Sequence, residues 1–213
     1  VRTMRRALAR IYWGVSRWTF RGTTLPREGA GILIGAPHTS NWDFVLMLAI
    51  TWRLGISVRF LGKHQLFRRP FGPLMRALGG IPVDRRDPSR LVDELVGRIS
   101  AGERFYLVIT PEGTRGATTV WKSGFYRVAR ATGMPVTLGY VDRSTMTTGL
   151  GPTLHLTGDV AGDMDRIRAF YAGKTGVRPS LGCEPRLRDE GTHDDESAQS
   201  AGLTDKGPHS DLR

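Results

Sequence analysis

The chain has 213 residues, 39% of them hydrophobic, enough for one compact domain with a sizeable core. Thirty-one basic against twenty acidic side chains give a net charge of +11, and the excess is concentrated: residues 1–185 carry 27 basic and 13 acidic groups, a net +14. That balance draws a domain to polyanions, whether nucleic acid, an anionic membrane surface or a phosphorylated substrate; the single cysteine, Cys183, excludes an internal disulfide and a cysteine-rich metal site.

In chain order, residues 3–19 read first as a helix. Met4, Leu8, Ile11, Val15 and Trp18 recur at spacings of three and four, which stacks them on one stripe. Arg2, Arg5, Arg6, Arg10 and Arg17 fall on the other side, and no acidic residue precedes Glu28. A basic amphipathic helix of this kind either lies in a membrane interface or packs its stripe on the domain with its arginines in water. Strands are predicted at 31–35, 57–61, 81–84, 105–110, 136–141 and 153–157, and helices at 42–54, 70–78, 89–100, 121–132 and 164–172. The alternation predicts an α/β domain: a largely parallel or mixed central sheet flanked by helices, with the amphipathic helix in front. From 186 onward the chain turns to Asp, Glu, Ser, Gly and His with few apolar residues, a composition that predicts disorder. The expected division is therefore an amphipathic helix at 1–22, a domain at 23–185 and a tail at 186–213. No signal-peptide pattern is visible, and the longest apolar run, 44–52, is far shorter than the ~20 residues of a transmembrane helix.

Three constellations carry chemistry. The first is Gly35-Ala36-Pro37-His38-Thr39-Ser40-Asn41-Trp42-Asp43, where a strand ends and a helix begins. With His38 in the loop, an Asp43 carboxylate in the first helical turn can reach back to one ring nitrogen, fix the tautomer and leave the other nitrogen free to take a proton. The alternative is helix capping by Asn41 or Asp43 beside an incidental histidine. The second is Thr110-Pro111-Glu112-Gly113-Thr114-Arg115-Gly116, directly after an apolar run. A loop at the C-terminal end of a strand is where α/β folds place ligand contacts. Arg115 offers a planar fork of donors for a phosphate, Glu112 could hold that fork, and Gly113 and Gly116 permit close backbone approach. The third runs over 62–86, where Lys63, Arg68, Arg69, Arg76, Arg85 and Arg86 are interleaved with Phe67, Phe71, Leu74, Met75 and Leu78. Taken alone, that stretch suits phosphates beside an apolar groove or a nucleic-acid patch equally well.

In this order the segments resemble the 1-acylglycerol-3-phosphate acyltransferase family, over about residues 30–160. The family's first motif, a His and an Asp with four residues between, matches His38 and Asp43; its second matches Gly80-Ile81-Pro82-Val83-Asp84-Arg85; its Glu-Gly-Thr-Arg motif matches Glu112 to Arg115 without a change. The fourth motif matches Met134-Pro135-Val136 only in part, since Gly139-Tyr140-Val141-Asp142 follows where a second Pro is usual, and Gln65 stands where an acidic residue is common. The resemblance implies a fatty acyl transfer to the hydroxyl of a lysophospholipid, with acyl-CoA or acyl-carrier protein as donor and neither metal nor cofactor. It implies His38 as general base with Asp43 as its orienting partner, and Arg85, Glu112, Gly113, Thr114 and Arg115, with Lys63, around the acceptor phosphate. The Gly113–Thr114 turn is the expected source of backbone N–H groups for the oxyanion. A lipid acceptor that lies in a bilayer, the lack of a transmembrane run and the basic helix at 3–19 together predict a peripheral enzyme on the cytoplasmic face of an anionic membrane, with no nucleic-acid partner. Two rival readings stay open: an acyltransferase for another lysolipid, lipid-linked sugar or ornithine lipid, and a non-enzymatic basic module, which would leave the motif order unexplained. Other look-alikes fail. Gly173-Lys174-Thr175 resembles the end of a phosphate-binding loop, but Arg168 stands where its opening Gly belongs; no Gly-x-Ser-x-Gly elbow exists; and His64, His155, His193 and His209 show no metal-ligand spacing.

Overall fold

The computed structural model describes residues 2–22, 25, 29–83, 88–188 and 190. Its elements are α1 (Arg2–Val15), β1 (Thr19–Gly22), β2 (Gly31–Ala36), α2 (Trp42–Leu54), β3 (Val58–Lys63), α3 (Gly72–Ala77), β4 (Gly80–Val83), α4 (Pro88–Ser100), β5 (Tyr106–Ile109), α5 (Gly124–Thr132), β6 (Val136–Asp142), β7 (Thr147–Leu154) and α6 (Val160–Tyr171), with 3₁₀ turns at His64–Phe67 and Pro179–Leu181. One seven-stranded sheet has the order β1-β7-β6-β2-β5-β3-β4. Five of its six pairings are parallel, and β6–β7 alone is antiparallel. The α/β architecture with a mixed sheet and an N-terminal helix is the one that the alternating pattern predicts.

The central strands are apolar throughout because helices cover both faces. Along β2 the side chains alternate: Ile32, Ile34 and Ala36 join one core, with α4, α5 and α6, while Leu33 joins a second with Phe60, Tyr106 and Val108. Phe44 and Met47 of α2 and Met75 of α3 pack on this second cluster, so α2 and α3 share that face. α2 is apolar almost all round, which requires cover on its outer side as well. α1 supplies it: Ala9 is buried, and the Trp13 indole N–H donates to Ala49 O at 3.2 Å.

One strand is absent from the sequence pattern and another is longer than predicted. β1 was not predicted, since the helix expected over 3–19 ends at Val15 and leaves Trp18 off its stripe, and β7 extends back to Thr147 from the predicted 153–157. The reason is glycine used for close approach: a Cβ on Gly149 would fall 1.4 Å from Arg21 O, and one on Gly151 would fall 2.2 Å from the Phe170 ring. A strand that spends its inward positions on glycine shows no β-branched alternation. The predicted tail boundary also falls within a packed stretch: Trp121 N donates to Arg186 O at 2.7 Å, Leu187 is buried, and Glu190 pairs with Arg168. The rest of the predicted tail, 191–213, lies outside the described residues.

Candidate active site

The three central parallel strands β6, β2 and β5 end at one edge of the sheet, and the loop after β2 carries His38 there. Helix α2 starts at Trp42, so Asp43 sits in its first turn, and its carboxylate turns back over the loop. Asp43 Oδ2 lies 3.1 Å from His38 Nδ1 and also accepts the Thr39 and Ser40 backbone N–H groups, each at 2.8 Å. Three contacts on one oxygen pin the carboxylate, and through it the imidazole plane. Asn41 occupies the N-cap position without a side-chain cap, so Asp43 satisfies the loop's N–H groups instead. A carboxylate on Nδ1 holds the proton there and leaves Nε2 as the acceptor. The His38 side chain keeps 20% of its surface in solvent.

Glu112 is placed differently from the expectation that it steadies the Arg115 fork. It is 4% exposed, and its Oε2 accepts the His38 backbone N–H at 2.7 Å, while Oε1 has no partner among the described residues. Burial, with the nearby Asp43 charge adding to it, pushes its carboxyl up to about 7, against the pull of the His38 N–H. The residue therefore braces the His38 loop from below. Arg115 stands exposed three residues on, with no ion-pair partner among the described residues.

The turn itself is shaped by Gly113, whose φ of +65° is left-handed. Its N–H is already used, donating to Thr110 O at 3.0 Å, so it is not free for an oxyanion as expected. Thr114 Oγ1 accepts the Gly116 N–H at 3.1 Å. Lys122, which belongs to none of the sequence motifs, reaches this turn: a Cβ on Gly113 would fall 2.8 Å from Lys122 Cε and 3.2 Å from its Nζ. Its backbone N–H donates to Pro111 O at 2.8 Å, which fixes the approach. No local spacing announces it, because the contact is made across a loop. Lys63 ends β3, exposed at the same edge of the sheet. Arg85 lies outside the described residues.

The chain's last described segment also returns to the histidine loop. Thr39 is 1% exposed, and its Oγ1 accepts the Arg178 backbone N–H at 3.0 Å. A Cβ on Gly176 would collide with Thr39 and Pro37. Cys183, the lone thiol, is pushed up by burial and by the Glu112 and Glu184 charges, so it is held as the thiol.

The 1-acyl-sn-glycerol-3-phosphate acyltransferase of Streptococcus pneumoniae is 30% identical over 117 residues, 53% of this chain and 43% of that protein, so the chain spans less than half the length of this relative. The crystal structure of the 1-acyl-sn-glycerophosphate acyltransferase from Thermotoga maritima shares the fold, with a TM-score of 0.55 at 18% identity over 72% of this chain and 68% of that one. The acyltransferase family model matches residues 17–138, more than half of the sequence, and the chain belongs to the acyltransferase family.

Proposed function

We propose that this protein moves a fatty acyl group from a thioester carrier, acyl-CoA or acyl-carrier protein, to the hydroxyl of a lysophospholipid, with 1-acylglycerol-3-phosphate as the leading acceptor. The observation that carries the reading is the His38–Asp43 pair, held by three contacts on one carboxylate oxygen at the C-terminal edge of the sheet. In this reading His38 Nε2 removes the hydroxyl proton as the oxygen attacks the thioester carbonyl. Asp43 stabilises the imidazolium that forms. The tetrahedral adduct then collapses, the C–S bond breaks, and the leaving thiolate takes the proton from His38. Transfer is direct. The hydroxyls beside the pair are occupied otherwise, Ser40 Oγ accepting the Trp42 N–H and Thr39 Oγ1 that of Arg178, and neither is bonded to His38.

The acceptor phosphate is assigned to the cations on the β5, β3 and β4 side of His38: Arg115, Lys63, Lys122 over the Gly113 turn and, from the motif, Arg85. Glu112 acts on the loop and not on the phosphate. Membrane docking is part of the proposal. Among the described residues the large exposed hydrophobics are Met4, Leu8, Ile11 and Val15 of α1, Trp42 at the start of α2, Leu66 in the His64–Phe67 turn, and Phe71 and Leu74 at α3. The three helices concerned lie on one side of the sheet, with Arg5 donating to Ala77 O to tie α1 to the end of α3. An apolar surface flanked by arginines suits an anionic bilayer interface, here placed on the cytoplasmic face. No helix among the described residues is long and apolar enough to cross a membrane.

The test is thiol release from acyl-CoA and from acyl-carrier protein with a panel of lysolipid acceptors. His38→Ala, folded as wild type, is expected to lose at least ~100-fold in turnover, the lower end of what general-base catalysis contributes. Asp43→Asn is expected to follow it, because the amide can support the wrong tautomer. Near-normal release by His38→Ala would overturn the mechanism.

A further inference from the structure

The segment after α6, from 174 to 190, lies downstream of every motif residue, yet it is fastened across both catalytic loops. At the histidine loop, Gly176 sits so close that a Cβ there would fall 2.6 Å from Thr39 Oγ1 and 3.2 Å from Pro37 Cβ, and the Arg178 N–H donates to Thr39 Oγ1 at 3.0 Å. At the loop after β5, the Trp121 N–H donates to Arg186 O at 2.7 Å, and Trp121 and Leu187 form a parallel bridge with both side chains in the core. The far end is tied back to α6. Arg168 donates to Pro185 O at 3.1 Å and pairs with Glu190, which also accepts the Leu187 N–H at 2.9 Å. The segment is thus a strap that joins the β2 loop to the β5 loop from outside, as the bond from the His38 N–H to Glu112 joins them from within.

Thr39 is the one residue between this strap and the catalytic pair. Its hydroxyl oxygen takes the Arg178 N–H, and its own N–H donates to Asp43 Oδ2, the oxygen that also lies 3.1 Å from His38 Nδ1. A hydroxyl on a residue only 1% exposed must find its partner inside the protein, and the strap provides it. Packing alone does not account for that hydroxyl, since valine has the same shape and costs less to bury. The chemistry is sensitive to such a hold. A general base works only within hydrogen-bond reach of its proton, and a displacement of about 1 Å can cost on the order of 100-fold.

We propose that Thr39 is a positioning residue for the His38–Asp43 pair, held in place by the strap at 174–190 through the Arg178 N–H. The role rests on the general-base reading of His38 above. Thr39 acts through Asp43: with its hydroxyl anchored, its N–H stays on the carboxylate, the carboxylate stays on Nδ1, and Nε2 stays the acceptor. Without the anchor the loop shifts, Asp43 loses one of its three contacts, and the imidazole is free to turn and to exchange tautomers.

The experiment reads the His38 ring nitrogens of the whole protein by NMR, identified by comparison with His38→Gln, and kcat and KM by thiol release. Wild type is expected to show the Nδ1–H tautomer. Thr39→Val removes the accepting oxygen and is expected to give mixed tautomers and a kcat lower by about tenfold, with both KM values within about twofold. Thr39→Ser keeps the oxygen and is expected to restore the ring signals and kcat to within about twofold. Gly176→Ala pushes the strap off Thr39 without changing either loop and is expected to reproduce Thr39→Val, so the test stands even where the valine variant fails to fold. Wild-type ring signals in Thr39→Val or Gly176→Ala, equal losses in Thr39→Ser and Thr39→Val, or a change in KM with kcat intact would each overturn the role. Failure of the parent reading is distinguishable: a strap-dependent tautomer without any transfer would keep the hold on His38 and remove the acyltransferase activity.

Discussion

Helices α5 and α1 are both two-faced, and they use their apolar faces in opposite ways. In α5, Phe125, Tyr126, Val128 and Ala129 are all buried against the sheet with α4 and α6 around them. In α1, the stripe of Met4, Leu8, Ile11 and Val15 is 46–80% exposed, and the helix packs through Ala9, Arg5 and Trp13 on its other side. The arginines are not simply solvated either: Arg5 lies 5.9 Å from the Trp52 ring, and Arg6 packs against Gly55. Burying a side chain such as Leu or Ile stabilises by roughly 1.5–3 kcal/mol, and α1 forgoes this four times over in water. An amphipathic pattern thus states that a face is apolar, not what will cover it.

The contrast can be broken most sharply at its buried end. Phe125 is fully buried, so Phe125→Ala is expected to cost about 3–5 kcal/mol in urea unfolding, whereas Ile11→Ala is expected to stay within about 0.5 kcal/mol. Equal losses at the two positions would show that the α1 stripe is covered after all.

Cover also shapes a charge. Burial, with the Asp43 charge nearby, raises the Glu112 carboxyl from its ordinary 4.5 to about 7. A raised acid binds more protons folded than unfolded between those values, so its contribution to stability falls as pH rises through that window and stays low above it. The shift corresponds to on the order of 3 kcal/mol. Glu112→Gln keeps an oxygen for the His38 N–H and removes the titration, so the variant is expected to gain on wild type from pH 5 to pH 8. Parallel unfolding midpoints across that range would mean that the carboxyl is not enclosed.

The smallest expected change in stability comes with a large change elsewhere. Leu8→Ser with Ile11→Ser is expected to unfold within about 0.5 kcal/mol of wild type, yet to sediment poorly with anionic vesicles at low and at high salt. Vesicle binding equal to wild type would remove the stripe from the docking surface and leave the arginines to carry it.

Much of this was legible in local pattern. Helix α2 spans the predicted 42–54, and the apolar runs at 31–35 and 105–110 are β2 and β5, since buried parallel strands and an apolar helix mark themselves by composition alone. The contact between His38 and Asp43 was legible too, because it needs only a loop, a helix start and five residues. What the sequence by itself could not decide depends on chain segments that meet across long separations. Glu112 reads as a partner for Arg115 three residues away, but it bonds the backbone of His38, 74 positions earlier, because adjacent parallel strands bring their C-terminal loops together. Arg178 docks on Thr39 for the same reason, through α6 returning over the sheet. Strand β1 and the first half of β7 were hidden because their glycines answer to a neighbour's backbone and ring rather than to strand propensity. The direction of the α1 stripe was settled by α2, whose apolar outer face is covered by the Ala9 and Trp13 side of α1, leaving the larger aliphatic side chains pointing away.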